Sequence, residues 1–268
     1  MSLKLSIITI NYNNLVGLRK TVESVLVQTY RDLEYIIIDG ASTDGSREYL
    51  NTIQIDHSQA DNRLANLQII SEPDTGIYNA MNKGIRFAHG EYCLFLNSGD
   101  RLVATDTMQQ LMNQSFSADI VYGYQYDDLD GKLVLEQCID VAYITFDTLR
   151  NTHIPHQSTL LRRETLLRLG GYDEQYKIIS DWAFVMKGLF KYDLTIARIP
   201  QYVAVYDTNG ISSNTDKTIQ WQERADFLHR EFPLFMPDYE RWDRLNRNGY
   251  MKLIHTIRNI KNKLCPKN

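Results

Sequence analysis

Leu5-Ser6-Ile7-Ile8-Thr9-Ile10-Asn11-Tyr12-Asn13-Asn14 begins as an uncharged, mostly apolar run and ends on four polar residues. Such a run, rich in isoleucine, reads as a buried strand. Leu15, Leu18, Val22 and Val25 then recur at helical spacing. Leu33–Asp39 (LEYIIID) is a second apolar run, stopped by Gly40, and Asp44–Ile53 can form a helix with Ser42 or Asp44 as its cap. Leu67–Ser71 gives a third strand, Thr75–His89 a helix closed by Gly90, and Glu91–Leu96 a fourth strand. Strand and helix alternating at this rhythm imply right-handed βαβ crossovers and a parallel sheet, an α/β fold.

Outward from that core the pattern loosens. The polar stretch 54–66 reads as a surface insertion. Ile120–Tyr126 and Lys132–Cys138 look like strands around a turn at Asp127–Gly131, His156–Leu161 like another strand, and Asp181–Phe190 like a helix. From about Asp216 onward the chain reads as mostly helical. The 268 residues are 43% hydrophobic and 23% charged, the mix of an ordinary globular protein with a core of useful size. Cys93, Cys138 and Cys265 are few and widely spaced, which fits a reducing compartment and excludes a metal knuckle. The first residues run straight into a strand, so no secretory leader is expected. No apolar stretch approaches membrane-spanning length.

The chemistry gathers where the strands end. Asn11, Tyr12, Asn13 and Asn14 follow the first strand, and Asp39 to Asp44 (DGASTD) follows the second. Glu72 to Gly76 (EPDTG) follows the third, and Asn97 to Asp100 (NSGD) the fourth. Open α/β sheets bind ligands at this edge. Each segment alone is an ordinary turn; four together are not. Acids are poor partners for phosphate, but they suit sugar hydroxyls, base N–H groups and a divalent cation bridging to phosphate. A nucleotide-sugar diphosphate with magnesium or manganese satisfies all three. A dinucleotide would need a glycine-rich turn after the first strand, and Asn11–Asn14 has none.

Six segments together, SIITINYNN (6–14), DGASTDGS (39–46), EPDTGIYNAMNKGIRFAHGEY (72–92), FLNSGD (95–100), GGYDE (170–174) and ISDWAF (179–184), resemble glycosyltransferase family 2. These are inverting enzymes with the GT-A fold, a Rossmann-like, mostly parallel sheet flanked by helices. The Asn-Ser-Gly-Asp form is similar to branches that build bacterial capsule and exopolysaccharide, colanic-acid-type enzymes among them. The resemblance implies that Thr9, Asn11 and Tyr12 line the base and ribose pocket. Asp39 would accept from a base N–H, as expected for uracil, and Asp44 would assist at base or ribose. Glu72, Asp74 and Asn82 would frame the nucleotide and donor, with Asn97 beside them. Asp100 would be the metal-binding acid. Asn97 and Gly99 stand where the family often has acids, which leaves Asp100 as the one carboxylate of that segment. Asp181 would be the catalytic base, with Ser180 replacing the first acid of the family's usual pair. A plain helix N-terminal acid is the rival reading for Asp181. His156 falls where the family lines the acceptor or donor site; a structural loop histidine is its alternative. Tyr202–Ser213 could be a loop closing over the donor, or an ordinary turn.

The expected organisation is a catalytic domain over 1–210, with a nucleotide-binding half (1–100) and an acceptor half (101–210), then a helical extension over 211–268. The expected function is transfer of a sugar, from a UDP-sugar by preference, to a glycan or lipid-linked acceptor in surface polysaccharide synthesis, with manganese or magnesium. A sugar nucleotidyltransferase and a non-catalytic sugar-nucleotide-binding protein are the rivals. A nucleic-acid partner is not expected. From Arg244 to the end there are seven Lys/Arg and no Asp or Glu, although the whole chain carries a net charge of −4. Tyr250, Leu253, Ile257, Ile260 and Leu264 fall on one helical face among those bases. The tail reads equally as a helix docked on the body or as one lying in an anionic membrane surface. The expected location is cytoplasmic, with peripheral contact at the inner face of the plasma membrane under the second reading.

Overall fold

The computed structural model describes residues 4–59, 66–136, 139–210, 215–247 and 249. The first half matches the sequence pattern. Strands β1 (Leu5–Asn11) and β2 (Leu33–Asp39) are buried along their whole length. Helices α1 (Leu15–Leu26), α2 (Ser46–Gln59) and α3 (Ile77–Phe87) connect β1, β2, β3 (Leu67–Ser71) and β4 (Tyr92–Phe95). The four strands run parallel in the order β3-β2-β1-β4. Strands covered on both faces have no polar side to show water, which is why they read as unbroken apolar runs.

Two expectations need correction here. The helix expected to end near Ile53 continues to Gln59, so the first part of the polar stretch 54–66 is helical, and its residues 60–65 lie outside the described residues. Gly90 does not close α3, whose C-terminal cap is Ala88 in an extended conformation. Gly90 is small for another reason: a Cβ there would stand 2.6 Å from the backbone of Leu5 and Ser6.

Beyond residue 100 the sheet becomes mixed. Strands β5 (Arg101–Leu102), β6 (Ile120–Leu129), β7 (Lys132–Leu135), β8 (Thr159–Arg162) and β9 (Ile196–Asp207) join it. The order continues β4-β8-β6-β9-β5, with β7 hairpinned onto β6. β8 is antiparallel to both β4 and β6, while β6 and β9 are parallel. The hairpin turn is Asp130-Gly131, both at positive φ (52° and 89°), which matches the twist of paired strands. Short helices α4 (Thr107–Met112), α5 (Phe146–Asn151) and α6 (Arg163–Arg168) and the longer α7 (Ser180–Lys191) pack around it. His156–Ser158 forms a single 3₁₀ turn ahead of β8 where a strand was expected. Tyr202–Asp207 belongs to β9, so the loop begins only after Asp207.

The chain divides into two compact units, Met1–Gln220 and Trp221–Asn268. Helix α8 (Lys217–Glu231) begins in the first and continues into the second, which also holds α9 (Met236–Arg247). In the second unit Phe227 and Phe232 pack edge to face, while Leu234 is 89% exposed. The apolar face expected over residues 250–264 lies outside the described residues. Among the described residues no helix is long and apolar enough to cross a membrane.

Candidate active site

The strand order reverses at β1, since the chain steps outward to β2 and β3 and then returns to place β4 on the other side. A crevice must open between the loops leaving β1 and β4 at such a switch point. An open cleft of about 670 Å³ lies there, within the range of small-ligand sites. Its walls come from the ends of β1 (Asn11, Tyr12), the Asp74–Ile77 segment, the loop after β4 (Asn97, Asp100) and the end of β9 (Tyr206, Asp207).

The two central loops are locked together. Asn14 accepts from the Gly17 N–H as the cap of α1 and donates to the Ser98 carbonyl at 3.0 Å. Thr21 on α1 donates to the Asp100 carbonyl at 2.6 Å and accepts from the Gly99 N–H at 3.0 Å. Gly99 sits at φ +115°, a conformation that side chains resist. These bonds aim Asp100 inward, where it is 3% exposed. Its carboxylate accepts from the N–H groups of Asn97 and Asp207. Burial lifts the Asp100 pKa to about 7; the adjacent Asp207 charge adds to the rise, and the N–H donors oppose it.

Asp207 is the residue that sequence reading missed. It lies at the end of a strand whose pattern carries no acidic motif, and only the pairing of β9 with β5 and β6 brings it to Asp100. A buried carboxylate beside a second one favours a bound cation. Asp100 and Asp207 are the residues of the cleft that could together hold a divalent cation. Among the described residues, no group of three or more His, Cys, Asp or Glu side chains forms a metal cluster.

The expected nucleotide residues divide. Asn11, Tyr12, Asp74, Asn97 and Asp100 line the cleft, with Tyr12 68% exposed. Asp39 is fully buried behind it and accepts from Asn11 (2.8 Å), the Ser42 N–H (3.0 Å) and Ser71 (2.7 Å), tying three strand ends together. Asn11 keeps a buried side-chain oxygen without a partner. Asn97 does too. Glu72 stands outside the cleft lining and, with Asp74, grips Lys83 at 2.9 and 2.6 Å. Burial alone would lower the Lys83 pKa; the two carboxylates outweigh it and raise it.

Thr9, Asp44 and Asn82 also lie outside the lining of the cleft. Thr9 is inside the sheet, hydrogen-bonded to the Tyr35 hydroxyl at 3.0 Å, because alternate strand positions face opposite layers. Asp44 accepts from the N–H groups of Leu15 and Ser46 and is a loop fastener. Asn82 is 7% exposed and clamps α3 to the Gly171–Glu174 loop, bonding both backbone groups of Tyr172 and the Glu174 carboxylate.

Asp181 is in the first turn of α7 and accepts from the Tyr78 hydroxyl at 3.0 Å. His156 stacks on Phe95 and meets the Tyr172 hydroxyl at 2.9 Å, at an aromatic cluster beside Asp181. Burial lowers its pKa and favours the neutral ring, against the pull of the Asp181 charge.

Residues 6–167 match the model of the glycosyl transferase family 2 domain. The chain belongs to that family. An uncharacterized glycosyltransferase of Mycobacterium tuberculosis is 32% identical over 234 residues, covering 85% of each chain. A PGL/p-HBAD biosynthesis glycosyltransferase of Mycobacterium bovis is 29% identical over 220 residues, 78% of this chain and 79% of that one. Among solved structures, S. aureus TarS 1-349 in complex with UDP-GlcNAc superposes with a TM-score of 0.65 at 17% identity, over 86% of this chain and 73% of that one. A Pyrobaculum calidifontis mannosyltransferase in complex with GDP-Man and Mn2+ gives 0.57 at 18% identity, over 77% and 57%. The fold of this family 2 glycosyltransferase is thus of the GT-A type, with a mixed sheet.

Proposed function

We propose that the chain is an inverting glycosyltransferase that moves a sugar from a UDP-sugar to a hydroxyl of a glycan or lipid-linked acceptor in surface polysaccharide synthesis. One observation carries this reading: the switch-point cleft sets the polar ends of β1 and β4 against the carboxylate pair Asp100–Asp207. The half formed by residues 1–100 would hold the nucleotide, and residues 101–210 the acceptor. Asn11, whose side-chain amide is oriented by Asp39 and which lines the cleft, would meet the base. A UDP-GlcNAc complex of a structural neighbour supports the uridine preference.

Asp181 would take the proton of the acceptor hydroxyl as that oxygen bonds to the anomeric carbon. The bond from that carbon to the phosphate oxygen breaks, and its electron pair leaves with the nucleoside diphosphate. Attack opposite the leaving group inverts the centre. A manganese or magnesium ion held by Asp100 and Asp207 would supply positive charge for the departing diphosphate. The basic stretch from Arg244 onward would bring the chain to an anionic membrane surface carrying a lipid-linked acceptor.

The test is slow donor hydrolysis monitored by proton NMR. An α-linked UDP-sugar should release the β-anomer first, faster with manganese. Release of the α-anomer would overturn inversion, and no turnover of any UDP- or GDP-sugar would favour a binding protein.

A further inference from the structure

The first turn of α3 touches two places. Gly76 and Ile77 line the donor cleft, and the next residue, Tyr78, turns inward and is 4% exposed. Its hydroxyl reaches the Ile178 carbonyl at 2.5 Å and Oδ1 of Asp181 at 3.0 Å, 100 and 103 residues along the chain. A phenol has one proton, and here two acceptors compete for it. Burial, and next the Asp181 charge, push the Tyr78 pKa far above its ordinary value, so this group stays a donor and never a base.

The surroundings leave Tyr78 as the polar contact that matters. Its ring packs against Tyr172 at 5.7 Å, and Tyr172 packs against Phe95 and Phe184. Among the described residues, Tyr172 and His156 also feel the Asp181 charge. Burial favours the uncharged form of each, raising the first and lowering the second. Their polar atoms bond each other. The N-terminal end of α7 adds its partial positive charge.

We propose that Tyr78 is a positioning residue for Asp181, a role that rests on reading Asp181 as the general base. While Asp181 is a carboxylate, the Tyr78 proton points to Oδ1, fixes the group's rotation and leaves Oδ2 for the acceptor proton. Once Asp181 has taken that proton, the Tyr78 proton turns to the Ile178 carbonyl. The buried hydroxyl is satisfied in both states, and no proton leaves it. Because Tyr78 comes directly after Ile77, the turn that meets the donor also aims the base.

Tyr78→Phe keeps the ring and removes the hydroxyl. With the UDP-sugar that the wild type hydrolyses fastest, kcat should fall roughly tenfold, UDP affinity should hold, and the acidic limb of the kcat–pH profile should move to higher pH. The limb moves that way because a lost donor disfavours the charged form. The double variant with Asp181→Asn should be no slower than Asp181→Asn alone. If Tyr78→Phe unfolds, 3-fluorotyrosine placed at 78 keeps the hydroxyl as a stronger donor and should move the limb to lower pH. Wild-type kcat and profile in either variant, with Asp181→Asn inactive, overturn the role of Tyr78 alone. An active Asp181→Asn overturns the base assignment, and the role of Tyr78 with it.

Discussion

The backbone N–H of Asp207 donates to Oδ1 of Asp100 at 2.9 Å, joining residues 107 positions apart. Gly99 permits this approach: a Cβ there would stand 2.6 Å from Oδ2 of Asp207. Asp100→Asn and Asp207→Asn should each weaken manganese binding in the presence of UDP by at least about tenfold, read by electron paramagnetic resonance of free manganese. Removing a carboxylate ligand leaves the rest of the cation site underfilled. Unchanged manganese affinity in either variant removes that residue from the site. Gly99→Ala should lower stability by about 1–3 kcal/mol through its strained φ, and should weaken manganese binding as well.

Asp181→Asn keeps the shape of the side chain and loses the base. Turnover should fall by about 100- to 10,000-fold, while UDP affinity measured by calorimetry stays the same. A variant within a few-fold of the wild type would return Asp181 to the role of a helix N-terminal acid.

Uridine diphosphate should bind more tightly than guanosine diphosphate. Asp39 is buried among donors from β1, the loop after β2 and β3, so under the proposed function it would act on the base through Asn11. Asn11→Ala should weaken UDP more than it weakens GDP. Asp39→Ala should lower stability by about 1–3 kcal/mol as well, because buried donors lose their acceptor. Tighter GDP binding in calorimetry would reverse the assignment.

His156 provides a pH test. Burial lowers its pKa in the folded chain, whereas an unfolded histidine protonates near about 6.5. The unfolded state then binds more protons as pH falls through that value, so stability is lost on acidification and regained above it. The loss should not exceed about 1.4 kcal/mol per pH unit from this one group. Melting scans from pH 7.5 to 5.5 should show the wild type losing more than His156→Gln. Parallel curves would mean that His156 adds nothing to the pH dependence.

The sequence by itself determined the parallel half of the sheet. Periodicity is a local property: β1, β2, β3 and β4 are short apolar runs between helical segments, and their order forces the polar ends of β1 and β4 to one crevice. That Asn11, Tyr12, Asp74, Asn97 and Asp100 stand at strand ends facing one cleft was legible for that reason. Thr9, Asp44 and Asn82 sit in the same stretches, but which way a side chain faces depends on what packs against it. Thr9 meets Tyr35, Asp44 the Leu15 N–H, and Asn82 a loop 90 residues away. The far half of the sheet pairs strands distant in sequence with no repeating period to announce them. Only that pairing sets Asp207 beside Asp100, and only the packing of two helices distant in sequence sets Tyr78 against Asp181. The carboxylate pair and the support of the proposed base are long-range contacts, which local pattern cannot specify and tertiary packing alone decides.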